Sequence, residues 1–231
     1  MDAARARNAA VPFARGPITP APRFAFRGTA EDRLRATECL ALAAMAEAGP
    51  SDTGQRAVIQ VVLNRVRHPA FAKTVCGVVF EGSERATGCQ FTFTCDGALA
   101  RRYSDSAWLQ ARIRAGEALG GYVFKPVGLA THYHTDWVYP YWSPELDKLA
   151  RIETHLFFRW PGYWGTRSAF SAAYQGREPD PATLFGDAAA ILPAAAPMPT
   201  AVPDAPKIAS GTVVMRGTGG KANFILLAGT A

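Results

Sequence analysis

Residues 29–50 read TAEDRLRATECLALAAMAEAGP, and this stretch sets the fold class. Thr29 has the chemistry of a helix N-cap, and Glu31 and Asp32 place negative charge in the first turn. Leu34, Ala41, Leu42, Met45 and Ala48 recur at helical spacing, and Gly49-Pro50 stops the run. A second helix is expected from about Thr53 to Arg67. Val58, Ile59, Val62 and Val66 form its buried face, and His68-Pro69 ends it. Residues 70–100 look irregular, with short extended pieces. A third helix starts near Asp105 with a stripe of Trp108, Leu109, Ile113 and Leu119, and Gly120-Gly121 ends it. The pattern then turns extended. From Leu129 to Tyr139, His132, His134 and Asp136 share one face of a strand and Tyr133, Thr135 and Trp137 the other. Ile152 to Trp160 reads as the partner strand.

Outside this region the composition changes. Residues 1–28 hold Pro12, Pro17, Pro20 and Pro22 with scattered Arg, and read as part of an extended basic arm over 1–33. Residues 34–187 are expected to be the catalytic domain. Residues 188–231 start as an Ala/Pro linker and end in a tail with a possible hairpin over 211–231. Both ends look dispensable for folding, because neither shows core patterning.

The chain has 231 residues and a net charge of +6. Residues 1–33 contribute +3 (six Arg against Asp2, Glu31 and Asp32), residues 188–231 contribute +2, and the central region only +1. A nucleic-acid binder carries a basic stripe on its folded surface, so nucleic acid is not an expected partner. Basic ends on a neutral core suit loose attraction to an anionic surface such as a cell envelope. No apolar run is long enough for a membrane-spanning helix. A monomer is expected.

Cys39, Cys76, Cys89 and Cys95 lack the spacing of a zinc finger, and an even count favours an oxidising compartment. Cys89 and Cys95 bracket a short loop. The expected disulfides are Cys89–Cys95 and, from the two cysteines left over, Cys39–Cys76, one of three possible connectivities. The first residues, Met1-Asp2-Ala3-Ala4-Arg5, show no apolar core of a signal peptide.

Three clusters carry chemistry. Glu47 closes the first helix on a face shared with Leu40, Ala43 and Ala44, and no Lys or Arg lies three or four residues away. A carboxyl on an apolar stripe is desolvated and holds its proton to higher pH, which suits an acid that protonates a leaving oxygen. The second cluster, Cys89-Gln90-Phe91-Thr92-Phe93-Thr94-Cys95-Asp96-Gly97, alternates rings with an amide and hydroxyls. Gln90, Phe91, Thr92 and Thr94 are candidate sugar contacts. The third runs from Thr131 to Trp142, with His132, Tyr133, His134, Trp137 and Tyr141 as candidate sugar contacts. His132 and His134, with His155, form an alternative zinc site for an amidase or peptidase. Neither an HExxH motif nor an acidic residue at a recognised ligand offset accompanies them, so no metal or cofactor is expected.

Ala46-Glu47-Ala48, Gly54-Gln55-Arg56-Ala57-Val58, Val62-Leu63-Asn64-Arg65-Val66 and Phe71–Phe80 resemble the SleB-type cell wall hydrolases. The 89–97 cluster and Thr131-His132-Tyr133-His134 resemble the cysteine-containing branch of that family. The similarity spans about residues 35–160. It implies an α+β, lysozyme-like fold, mainly helical with a small antiparallel sheet. It implies that Glu47 is the acid of a glycosidase acting on peptidoglycan, exported to the cell envelope although no leader is visible. Family members usually read Glu-Ala-Arg-Gly-Glu here. This chain has Glu47-Ala48-Gly49-Pro50-Ser51-Asp52, so Asp52 or Asp96 is the candidate for a second carboxylate. With Glu47 alone the chemistry is a lytic transglycosylase. With a second carboxylate it is lysozyme-type hydrolysis of the same bond.

Overall fold

The computed structural model describes residues 1–84, 89–181 and 183. The expected tail hairpin lies outside them. Among the described residues, five α-helices run over Asp2–Ala10 (α1), Ala30–Ala48 (α2), Asp52–Arg67 (α3), Val75–Val79 (α4) and Asp105–Leu119 (α5). Three strands, His132–Thr135 (β1), Asp147–Ile152 (β2) and His155–Arg159 (β3), form one antiparallel sheet in the order β1-β3-β2. The fold class is therefore the expected one, mainly helical with a small antiparallel sheet.

Helix α2 is the centre. Thr29 caps it: Thr29 Oγ1 accepts from Asp32 N at 3.0 Å, and Asp32 Oδ2 accepts from Thr29 N at 2.8 Å. Every residue from Cys39 to Met45 is buried, so this stretch has no solvent face. Its alanines let α3 and α5, which flank it, come close. A buried ion pair, Arg112 Nε to Glu38 at 2.8 Å, adds a polar tie between α2 and α5. Gly49 leaves the helix at φ +53, a backbone conformation that side chains rarely adopt. The chain can thus turn away directly after Glu47.

Helix α3 begins one residue before the expected Thr53, with Ser51 Oγ accepting from Gly54 N. It carries the sheet on Ala57 and Val61, which pack with Phe124, Val127, Ala130 and Phe157. Its polar side chains bind the strand approach. Asn64 Nδ2 donates to Gly128 O and Ala130 O at 2.9 and 2.8 Å. Gln60 Oε1 accepts from Phe124 N, and Arg65 Nε donates to Thr131 O at 2.7 Å. These bonds fix where β1 begins.

The strands differ from the expected pair in extent. Only His132–Thr135 of the expected Leu129–Tyr139 run is a strand, and β2 intervenes before β3. Its sequence, Asp147-Lys148-Leu149-Ala150-Arg151, lacks period-2 alternation, and an irregularity between Lys148 and Ala150 accounts for that. Within residues 70–100 the described residues form α4 and 3-10 turns at Thr92–Thr94 and Ala98–Ala100, and no extended strand. Both expected disulfides are present. Cys39–Cys76 ties α2 to α4, and Cys89–Cys95 closes the loop around the first 3-10 turn.

The first 33 residues are not an extended arm. Residues 2–10 are helical, and Asn8 Nδ2 donates to Asp136 O and Val138 O, both at 2.8 Å. Phe13 bridges Lys148 in parallel at the edge of β2, and Ala14 N donates to Lys148 O at 2.7 Å. Ala21 and Phe24 are buried, Phe24 against the ring of Tyr174. Near the other end, residues 172–178 wrap the helices. Ala172 N donates to Arg67 O and Gln175 N to Lys73 O. Buried Glu178 accepts from Val75 N and Cys76 N at 2.7 and 2.8 Å, while its own N donates to Asp32 Oδ1. Among the described residues no helix is long and apolar enough to cross a membrane.

The terminal segment is thus part of the core. Removing residues 1–28 takes away buried Phe24, worth about 1.5–3 kcal/mol, along with the Asn8 bonds. The expected fall in Tm is about 3–12 °C in a thermal melt of the trimmed protein. A melt unchanged by the deletion would return the segment to the status of a loose arm.

Candidate active site

Glu47 stands in the last turn of α2, half-buried. Burial raises its carboxyl above the ordinary carboxylate range. Tyr133 on β1 and Arg65 on α3 work against that shift, and the charge of Asp96 adds to it. Tyr133 Oη is itself buried and has no partner within hydrogen-bonding geometry, so its contact with Glu47 is looser than a formed bond. It lies near enough to favour the carboxylate. Tyr103 reaches the same place from the segment before α5: burial raises its hydroxyl, and Glu47 raises it further. Side chains from four segments are therefore electrostatically coupled to one carboxyl. A shallow depression of about 320 Å³ lies at Asp96, lined also by Gly97, Ala98, Ala100 and Arg101.

The two candidate second carboxylates separate. Asp52 lies at the exposed start of α3, held by Arg114 Nε at 2.6 Å and Arg56 Nε at 2.9 Å. The bond from Arg114 holds its carboxyl below the usual range. Asp96 is exposed, accepts from Ala98 N at 2.8 Å, and is the one whose charge reaches Glu47.

The sugar-contact candidates divide too. Tyr133 meets Glu47. Phe91 is 3 % exposed and packs on Phe93 and Tyr133 beneath Arg65, so its ring supports the site and offers no open face. Thr94 is buried, and its hydroxyl donates to Phe91 O at 2.8 Å, closing its own turn. Thr92 is exposed, and Gln90 is half-exposed with its backbone N bonded to Glu81 O.

Alternation along β1 sends His132 and His134 to the face opposite Tyr133. His134 is buried, stacked on Phe158 at 5.0 Å, with ring nitrogens 2.9 Å from Thr135 O and 2.8 Å from Ser143 Oγ. Both nitrogens are used, so His134 is a packing residue. His132 packs among Phe71, Trp142 and Trp160, where burial pushes it down to about 4. His155 pairs with Thr135 and meets the ring of Tyr133. The three histidines do not converge, and among the described residues no group of three His, Cys, Asp or Glu is arranged to hold a metal. Trp137 is partly exposed between the Asp136 and Val138 carbonyls that bind Asn8 of α1, and Tyr141 is 87 % exposed. Neither is drawn to Glu47 by any contact.

Arg65, whose charge acts on Glu47, is not among the expected site residues. An Arg in a last helical turn ordinarily complements the helix dipole. The overlooked signal is its position, seven residues after Val58 and three after Val62, on the same buried face.

Residues 49–158 match the profile of the family described as Cell Wall Hydrolase. The match begins two residues after Glu47, so the case for Glu47 rests on its surroundings. One solved structure, the catalytic domain of the Bacillus cereus SleB protein, is similar at 26% identity and a TM-score of 0.44, over 58% of this chain and 95% of that one. No curated protein matches the chain.

A carboxyl raised by burial is better tolerated protonated in the folded state. Stability gained from it is present at low pH and lost as pH rises through the folded value. Glu47→Gln is therefore expected to melt higher than wild type at neutral pH, with the gap shrinking toward pH 4. Melts at matched ionic strength check this, and a gap that does not depend on pH contradicts the burial argument.

Proposed function

We propose that this chain, which matches the Cell Wall Hydrolase profile over residues 49–158, cleaves the β-1,4 bond between N-acetylmuramic acid and N-acetylglucosamine in peptidoglycan, with Glu47 as acid and then base. The observation that carries the reading is a single carboxyl, raised by burial, at the convergence of Tyr133, Arg65, Asp96 and Tyr103. Protonated Glu47 donates to the bridging oxygen as the C–O bond breaks, and the sugar takes on oxocarbenium character.

We favour completion as a lytic transglycosylase. The Glu47 carboxylate then takes the proton from the muramic C6 hydroxyl, which closes a 1,6-anhydro ring without external water. The engagement of Asp52 by Arg114 and Arg56 supports this route. Lysozyme-type hydrolysis is the second reading, and the reach of Asp96 to Glu47 favours it. The zinc amidase reading is less favoured, since both ring nitrogens of His134 are engaged and His155 lies on the face of the sheet opposite His132 and His134. Two disulfides suit an oxidising compartment, and the proposed substrate lies outside the cytoplasm.

Glu47→Gln should lower turnover of purified peptidoglycan by about 10²–10⁴-fold, toward the upper end because one group acts twice. Asp52→Asn should retain most activity. Mass spectrometry of the soluble products should find anhydro ends. Reducing ends together with an inactive Asp96→Asn would establish hydrolysis instead. Near wild-type turnover in Glu47→Gln sinks both routes.

A further inference from the structure

Two buried polar atoms on either side of the Phe91 ring lack partners, Arg65 Nη1 and Tyr133 Oη, and both residues act electrostatically on Glu47. Orphaned buried groups are uncommon in folded proteins and call for a physical reason. Arg65 is the more demanding, because a cation withdrawn from water without a paired carboxylate is costly. It is only 4 % exposed, and among the described residues it makes no ion pair. Nor is it free to swing out. Nε is bonded to Thr131 O at 2.7 Å, and the guanidinium carbon lies 5.4 and 5.2 Å from the ring centroids of Phe71 and Phe91.

Resting on the reading of Glu47 as the acid, we propose that Arg65 is a positioning residue: a fixed, dehydrated cation that, with Tyr133 Oη, stabilises the Glu47 carboxylate left when the proton has gone to the bridging oxygen. In that step the Glu47 O–H bond breaks, the leaving oxygen gains the proton, and the C–O electron pair stays with that oxygen. The negative charge remaining on Glu47 appears on a carboxyl whose burial disfavours charge. Donors already in place stabilise it without reorganising, which water cannot do. The orphaned atoms of the resting protein are the atoms that gain a charged partner during turnover. Loose contacts of this kind tighten when the charge develops.

The balance is set by several groups. Facing Glu47 are Arg65 from α3, Tyr133 from β1, Asp96 from the disulfide loop and Tyr103 from the segment before α5. Facing Arg65 are Tyr133, Glu81 and Glu47, and its charge also discourages protonation of His132. Burial keeps the proton on Glu47, and Arg65 limits how tightly it is kept.

The test uses the full chain, with pH–rate profiles on purified peptidoglycan and a carboxyl-carbon NMR titration of Glu47 without substrate. Arg65→Gln keeps a donor for Thr131 O but removes the charge. It should lower the rate by about 10²-fold and move both the alkaline limb and the Glu47 titration up by about one pH unit. Arg65→Lys keeps the charge, so Glu47 should titrate near its wild-type point while part of the rate is lost. Equal rate losses in both variants, with Glu47 titrating as in wild type, would reduce Arg65 to a packing residue. If Arg65→Gln fails to fold, the lysine variant decides: a Glu47 titration raised by the same unit there overturns the proposal. Failure of the underlying reading looks different, since Glu47→Gln would then keep turnover whatever the Arg65 variants do.

Discussion

The site depends on how the side chains of α3 bind the backbone that leads into β1. Asn64 holds Gly128 O and Ala130 O, Arg65 holds Thr131 O, and Gln60 holds Phe124 N. A three-stranded sheet on the flank of a helical core has little to fix its position along that core. Here the carbonyls that must be satisfied at the strand entrance are satisfied by one helix, in one register. A shift of one residue would turn Tyr133 away from Glu47 and bring a histidine in its place. The polar bonds thus decide which side chain faces the acid, and the apolar contacts of Ala57, Val61 and Phe157 hold the sheet there.

The same bonds explain why an arginine can sit inside the protein. Its Nε is used structurally, while the remaining guanidinium lies among rings and near carboxylates without being neutralised by any of them. Neighbouring Glu47 feels opposing influences, burial and Asp96 on one side, Tyr133 and Arg65 on the other. The proposed role of Glu47, to keep and then release a proton, is served by such a balance. Burial alone would hold the proton too firmly, and a full ion pair would remove it too early.

The helices were legible because their signals are local. Thr29 with Asp32, Gly49-Pro50 and the spaced apolar residues each act within a turn or two. Glu47 stood out because nothing near it in sequence can pair with it. What escaped reading depends on partners distant in the chain. Phe24 and Ala21 look like parts of a proline-rich arm until Tyr174, Leu129 and Phe170 cover them. Thr94 and His134 have the composition of ligand contacts, yet each spends its polar atoms on the protein, Thr94 on Phe91 O and His134 on Thr135 O and Ser143. Arg65 carried a signal, its place on the buried face of α3, but the usual surface role of a terminal arginine hid it.

The strap formed by residues 172–178 has a consequence for how the protein is made. Glu178 caps α4 from about a hundred positions downstream, and its backbone reaches Asp32 at the start of α2. The segment also covers the neighbourhood of Cys76, the partner of Cys39. A nascent chain emerging from the ribosome cannot complete these bonds until nearly all of the described fold has been synthesised. Until then the start of α4 lacks the acceptors that Glu178 supplies to Val75 N and Cys76 N.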